Sequence, residues 1–436
     1  MVFAVIGIII GIFISQVSTS EYLEKDLKII PYSQIKSEIT FEIKDIYKIL
    51  NYTGEYIVEL NSINGKTLND IYGIVSIPSN FTVEKGDIIN VRETLLPVEN
   101  FNESFNYKKF MFSKNIFFKI KAGSINRIDF NKPHILFEKI SLIREELLQR
   151  IYSLYPEEEA IFLGGILLGA RESLPQDLKD NFNASGLTHF IAVSGFNITI
   201  LIVFFSFILK IFPIFIRVSA ITIFIILFTL LVGDAAPVIR ASIMGLLAYY
   251  IMVSGRNTHN LALLLFTACI MVGFSPLILN YDVSFHLSFL AVIGIIYTQS
   301  FWKKIFYFLP ETLAIKEAFV LTLSALVFAL PVMIFNFGQL SILAPFANIA
   351  VTWTIPLAML FGFISIFLTD TIPFLGEAIT YITWVLLAWD IKVVHFFGGL
   401  DWAIIRYDFG IWKYSLQILY FIMIVFIINI FSRDNN

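Results

Sequence analysis

Cysteine is almost missing from this 436-residue chain: Cys269 stands alone. That excludes an intrachain disulfide and a cysteine-ligated metal site. Lying inside an apolar run, Cys269 reads as a small buried hydrophobe. Charge is scarce as well. Only 15% of residues are charged, and 31 basic against 34 acidic side chains leave a net charge of −3. The charges are unevenly placed, so the balance itself points to no partner. No Gly-x-x-x-x-Gly-Lys-Ser/Thr loop occurs, so these residues hold no P-loop energy source. What abounds is apolar: 57% of residues are hydrophobic and 45 are Phe, far more than a soluble domain of this length buries. The composition is that of a polytopic α-helical membrane protein.

Residues 2–17 form one apolar run, at the short end for a spanning helix. It lacks a basic leader and a clear cleavage site, so residues 1–17 are expected to be an uncleaved membrane anchor, with a signal peptide as the alternative. Residues 18–133 differ in kind. Alternation at period 2 runs through Ile35, Ile39, Phe41 and Ile43, then Tyr56, Val58 and Leu60, then Ile71, Gly73, Val75 and Ile77. Turn signals at Asn51–Gly54, Asn61–Gly65, Pro78–Asn80 and Lys85–Gly86 punctuate it. About five short strands suggest a small all-β domain, with an OB-like barrel as one solution. Such barrels often bind single-stranded nucleic acid through stacked aromatics and a basic groove. The stretch 105–121 interleaves the two residue types, making Tyr107, Lys108, Lys109, Phe112 and Lys114 candidate contacts. Against this, basic and acidic residues number 16 each over 18–140, and barrel core is the commoner fate of such aromatics.

Residues 134–186 read as an amphipathic helix, with Leu136, Ile140, Ile143, Leu147 and Ile151 at helical spacing, followed by a short apolar run at 160–170 that suits a re-entrant or interfacial helix. Spans are then expected near 187–209, 217–233, 236–253, 260–279, 284–301, 313–335, 342–368, 376–398 and 414–432, about ten with the anchor. Pro345 and Pro356 interrupt the 342–368 segment, which is expected to kink or divide. Lys210, Arg217, Arg256, Lys303, Lys304 and Arg433 fall on alternate loops. By the positive-inside rule residues 18–186 lie outside and the C-terminus is cytoplasmic.

Three mixed stretches carry the chemistry. SGLTHFIAVSGFNITIL (185–201) holds His189, Ser194, Gly195 and Asn197; GDAAPVIRAS (233–242) holds Asp234 and Arg240; YDVSFHLSFL (281–290) holds Asp282 and His286. Polar groups in lipid-bound segments are costly and tend to face a bundle interior or a hydrated path. Ser194 and Asn197 share a helical face, whereas His189 and Ser194, five apart, do not. An intramembrane serine hydrolase would therefore need a distant base such as His286 or His395. Asp282 and His286 are four apart, but two ligands make no metal site. For each group, a helix-to-helix hydrogen bond that fixes packing is the plainer reading.

These stretches resemble the ComEC family, the inner-membrane DNA channel of natural competence. RESLPQDLKDNFNASGLTHFIAVSGFNITIL carries the family's Gly-Leu-x-His and Ala-x-Ser-Gly pattern. GDAAPVIRASIMG is similar to its second motif, YDVSFHLSFLAVIG to its third and FGQLSILAPFANIAVTWTIP, with Asn348, to its fourth. VENFNESFNYKKFMFSKNIFFKI resembles the segment that closes the family's OB-like region. Each motif is weak alone; five in order are specific. The resemblance implies a channel for single-stranded DNA in the cytoplasmic membrane, lined by His189, Ser194, Gly195, Asn197, Asp234, Arg240, Asp282, His286 and Asn348, with no cofactor. It also implies an external DNA receptor, a separate nuclease, and a cytoplasmic ATPase or helicase as partners, leaving room for a homo-oligomer in the membrane lipid. Departures matter: Asn197 stands where the family has His, and His286 where it has Gln. An amide cannot replace an imidazole in proton transfer, so neither is expected to be catalytic. The family's outer-domain disulfide is excluded by the lone cysteine. No His-x-His-x-Asp-His cluster occurs, so a form without the metallo-β-lactamase-like domain, and not an enzyme, is expected. A small-molecule secondary transporter, suggested by the interrupted 342–368 segment, is the alternative.

Overall fold

A computed structural model describes the chain apart from residues 1–23, 34, 50–52, 69, 82, 100–106, 131–134, 171–173, 192–194, 234–235, 256–259, 311–314, 338, 401, 407–419 and 421–436. The expected anchor, and all of the last expected span but Tyr420, lie outside the described residues. The chain divides into two compact units. One comprises Met1–Lys139 with Cys269–Asp282, the other Ile140–Ala268 with Val283–Asn436.

The first unit is β-rich. Its strands are β1 (Lys36–Ile49), β2 (Thr53–Ile63), β3 (Lys66–Thr67), β4 (Tyr72–Pro78), β5 (Asp87–Thr94), β6 (Leu96–Pro97), β7 (Ile116–Lys121) and β8 (Asn126–Phe130), with α1 (Tyr107–Ser113) before β7. They form one sheet in the order β6-β7-β4-β2-β1-β5-β8, with β3 hairpinned on β2. The β2–β3 turn is Asn64-Gly65, with φ of 49° and 77°, the positive values a two-residue type I′ turn requires. β1 buries Ile39, Phe41 and Ile43 and turns Thr40, Glu42 and Lys44 outward. It pairs with β2 on one side and β5 on the other. Register shifts after Thr40, Ile43 and Ile46 bend so long a strand. β4 and β7 pair in parallel. Their registered pair is Gly73 and Phe118, and a Cβ on Gly73 would stand 2.2 Å from that ring; the glycine leaves the phenylalanine its place. Phe41, Val58, Leu60, Phe117, Phe118 and Ile120 form the core, joined by Leu277 from the second stretch of this unit. Eight strands replace the five expected. β3 and β6 are too short to show a period, and Phe117-Phe118, both buried, hide the alternation of β7.

The second unit is helical: α2 (Ile135–Leu154, entering from the first unit), α3 (Glu157–Leu168), α4 (Gln176–Ser185), α5 (Thr188–Ile191), α6 (Gly195–Ile208), α7 (Ile214–Val232), α8 (Ala236–Val253), α9 (Asn260–Phe274, whose end belongs to the first unit together with α10, Ile278–Tyr281), α11 (Val283–Ile305), α12 (Ile315–Phe337), α13 (Ala344–Thr352), α14 (Thr354–Thr371) and α15 (Pro373–Gly398). Among the described residues five helices are long and apolar enough to span a membrane: Ile214–Val232, Val283–Ile305, Lys316–Ile334, Thr354–Thr371 and Pro373–Gly398. Asn197–Ile211, Pro237–Val253 and Asn260–Phe274 are apolar but shorter.

Sequence explains several boundaries. α3 follows Pro156, opens on Glu157-Glu158-Glu159, which suit a helix N-terminus, and stops at Gly169 in the left-handed region. Every residue from Ala160 to Leu168 is buried, so α3 has neighbours all round. The 342–368 segment divides at Trp353, three residues before Pro356. A proline has no N–H for the carbonyl four residues back and collides with it; here that carbonyl is Thr352's. Gly294 of α11 lies so close to α12 that a Cβ would stand 2.2 Å from the Ser324 carbonyl oxygen, the close approach small residues permit between membrane helices. Cys269 is exposed on α9, not buried as expected. Outward-facing apolar groups such as Phe266 and Phe274 share that helix, so an exposed sulfur there is among its like.

Candidate functional site: a buried arginine over Gly195

The first two motifs meet at Gly195. This residue opens α6, and a Cβ on it would stand 3.1 Å from Arg240 Nη2 and 3.5 Å from Ala241 Cβ on α8. Glycine is therefore what lets a guanidinium lie against the start of α6. Arg240 is partly buried, and its Nε is buried with no acceptor among the described residues. An unpartnered guanidinium within apolar helices is expensive to keep, and its planar fork of donors suits phosphate or carboxylate oxygens. Ser194 and Asp234 lie outside the described residues.

The remaining positions spread around this point. Asn197, two residues along α6, is buried, and its amide donates to the Ile166 carbonyl of α3 at 3.1 Å. His189 is exposed on α5; its Nδ1 is 3.2 Å from the Gly186 carbonyl, and its ring lies 4.2 Å from that of Phe190. Asn348 on α13 donates to Thr322 Oγ1 of α12 at 2.9 Å, while its own side-chain oxygen is buried without a donor. His286 sits in the first turn of α11 beside Phe285. Asp282, in the first unit, follows α10, its N–H on the Ile278 carbonyl. Thus Gly195 and Arg240 are brought together, Asn197 and Asn348 each tie two helices, and the described contacts do not join His189 or His286 to them.

His395, the other base considered for a serine, has both ring nitrogens engaged. Nδ1 faces the Asn181 amide at 3.1 Å and Nε2 faces Glu158 at 2.9 Å. With the amide donating, Nδ1 is the acceptor and Nε2–H donates to the carboxylate, which leaves no lone pair for a nucleophile.

In the β-rich unit, Phe112 is buried and its ring is 5.0 Å from Phe117. Lys108 pairs with buried Asp26 at 2.8 Å. Lys119 donates to the Tyr107 hydroxyl at 2.9 Å, and burial pushes that phenol's pKa above its ordinary 10.0. Lys114 is exposed, its ammonium 4.9 Å above the Phe110 ring. The side chain of Lys109 lies outside what is described.

Sequence reasoning passed over Asp390 and Thr354. Both are fully buried, the threonine hydroxyl meets Asp390 Oδ1, and Oδ2 has no partner among the described residues. The signal was a lone acid deep inside an expected span, hidden by attention to the three motif stretches.

A family model described as competence protein matches residues 166–434. The chain belongs to the competence protein family. ComE operon protein 3 of Bacillus subtilis (strain 168) is 22% identical over 250 residues, covering 55% of this chain and 30% of that relative. The match thus spans under a third of the relative's length. No solved structure matches the chain. The five long apolar helices fit a membrane protein.

Proposed function

We propose that the chain forms a path for single-stranded DNA across the cytoplasmic membrane during transformation, with Arg240 as its principal phosphate-facing group. The observation that carries this reading is the guanidinium of Arg240, unpartnered at Nε and seated over Gly195 where two family motifs meet. A polyanion crossing lipid needs donors and little fixed negative charge along its route. Arg240 supplies them, with Ser194, next to Gly195 in sequence, and with Asn348, His189 and His286 as secondary lining, while Asn197 holds α6 to α3.

The β-rich unit would receive the strand outside. Its order, with β1 between β2 and β5 and a parallel β4–β7 pair, supports an OB-like, partly open barrel. Tyr107, Lys114 and Lys119 form its aromatic and basic edge. β9 (Gln339–Ser341) pairs with β10 (Ile404–Arg406), which supports the alternation that puts both loops outside and the C-terminus inside. Arg150 of α2 pairs with Asp370 beside the start of α15, and Glu158 meets His395 near its end; these contacts support helices of 134–186 that lie against the bundle, as re-entrant or interfacial elements. Transport would draw on an external receptor, a separate nuclease, and a cytoplasmic ATPase or helicase.

The test is uptake of labelled DNA into the cytoplasm of a strain lacking the gene. Loss of delivery with external binding intact, restored by the wild-type gene, is the expected result; unchanged delivery in the deletion overturns the reading. The helix break at Trp353 favours a second reading, a small-solute transporter. Saturable binding of a solute without affinity for single-stranded DNA would support it.

A further inference from the structure

We infer that Asp390 is a proton-binding site within the helical unit, held in place by Thr354. The argument begins with the hydrogens available. Thr354 Oγ1 lies within hydrogen-bonding distance of Asp390 Oδ1 and 2.9 Å from the Val351 carbonyl oxygen. A hydroxyl has one proton to give and two lone pairs to offer. Were the carboxyl ionised, that single proton would be divided between Oδ1 and a Val351 carbonyl that already accepts the Trp353 N–H. Oδ2 would be a bare oxygen carrying negative charge, with no partner among the described residues. With a proton on Oδ1 the set closes: Oδ1–H donates to Thr354, and Thr354 donates to Val351. Oδ2 is then a neutral carbonyl, the least costly form to leave unpaired among apolar side chains.

The surroundings agree. Asp390 and Thr354 are each 0% exposed, and Leu387, Ile391, Val394, Val351 and Ile355 around them are buried. Among the described residues no charged group pairs with Asp390; α13 contains none, and the one acid of α14, Asp370, pairs with Arg150. On α15 itself Glu377 and Lys392 are exposed, and His395 is held by Glu158. On α3, Glu157 is exposed and Glu159 partly so; on α4, which packs along α15, Asp177 and Asp180 are exposed and Lys179 partly so. Position adds a consequence. Val351 and Thr354 flank the break between α13 and α14, where Pro356 has removed a helical hydrogen bond. Loss of the proton would leave a carboxylate that must find water, so deprotonation and opening of this joint are linked. The inference does not depend on what crosses the bundle.

An apolar carbodiimide tests it, because the reagent adds across a protonated carboxyl shielded from water: the proton goes to nitrogen, the carboxyl oxygen to the central carbon, and nothing leaves. The purified full chain in lipid nanodiscs, labelled near neutral pH and mapped by mass spectrometry, should carry the adduct at Asp390. Yield should fall about tenfold per pH unit once the group titrates and should be indifferent to sodium. Protection by sodium at fixed pH would make the site a metal-cation site and overturn the proton. A second measurement covers poor access of the reagent. Asp390→Asn should gain on wild type in melting temperature as pH rises from about 4, because the unfolded carboxyl ionises there while the buried one keeps its proton, and the neutral amide titrates in neither state. A gap between variant and wild type that stays constant or narrows as pH rises from about 4 would show an ionised carboxylate and overturn the inference.

Discussion

The two units treat polar groups in opposite ways. In the β-rich unit ion pairs are many and most are near the surface: Lys44 with Glu42 and Glu59, Lys25 with Asp70, and Lys108 with the more deeply set Asp26. Each such pair is worth little, because water screens it and offers an alternative. In the helical unit the paired charges, Arg150 with Asp370 and His395 with Glu158, belong to helix ends or loops. Within the helices most buried hydroxyls bond to their own backbone, while among the described residues Arg240, Asn348 and Asp390 each keep an unpartnered atom. Without water as an alternative, each of those is a cost that packing alone does not explain. The stability of the first unit should therefore reside in its apolar core, and the activity of the second in isolated polar groups.

Four substitutions bear on that contrast. The largest effect should come from Phe118→Ala, which empties the space over Gly73. It should cost about 3–5 kcal/mol, read as loss of protease resistance in residues 24–130 with the helical unit unchanged; equal loss in both units would break the comparison. Next, Gly195→Leu should push the Arg240 guanidinium aside and lower DNA delivery about tenfold, equivalent to about 1.4 kcal/mol, with little change in melting temperature. Unaltered delivery would separate Gly195 from the path. Asn197→Ala removes one buried bond to Ile166 and should cost about 1 kcal/mol, measured by thermal denaturation in detergent. A large loss of delivery at full stability would instead make Asn197 part of the path.

The smallest effect concerns Lys44. Burial works against its ammonium, but hydrogen bonds and attraction from Glu42 and Glu59 outweigh it, so its pKa lies above the ordinary 10.5. A raised pKa means the contribution is whole below 10.5 and is lost as pH climbs past the folded value. Lys44→Met should thus be slightly less stable than wild type at neutral pH and should converge with it in strong alkali. No convergence would remove the carboxylates as the cause.

Much of this was legible in the sequence. Period-2 alternation located β1, β2 and β4, and Asn64-Gly65 announced its hairpin. Pro356 announced the divided segment, although the break falls at Trp353 because a proline disturbs the turn before itself. The meeting of Gly195 with Arg240 was not legible, since it depends on α6 and α8 lying side by side. For Phe112 the sequence offered both core and contact surface, core being the commoner fate, and it is buried. Its neighbours Tyr107 and Lys114 share its composition but not its depth, and interleaved lysines look alike over a core and over a groove. Asp390 was the clearest omission: a single acid in an apolar helix is a strong signal that motif reading set aside.

The central claim is that a half-buried guanidinium, unpartnered at Nε among the described residues, carries the activity of the helical unit. Its most direct test is delivery of labelled single strands to the cytoplasm in a deletion strain expressing wild type, Arg240→Lys or Arg240→Ala at equal membrane levels. The account predicts about a hundredfold loss with alanine, partial recovery with lysine, which keeps the charge but not the planar fork, and unchanged binding of DNA outside. Wild-type delivery by the alanine variant would contradict it.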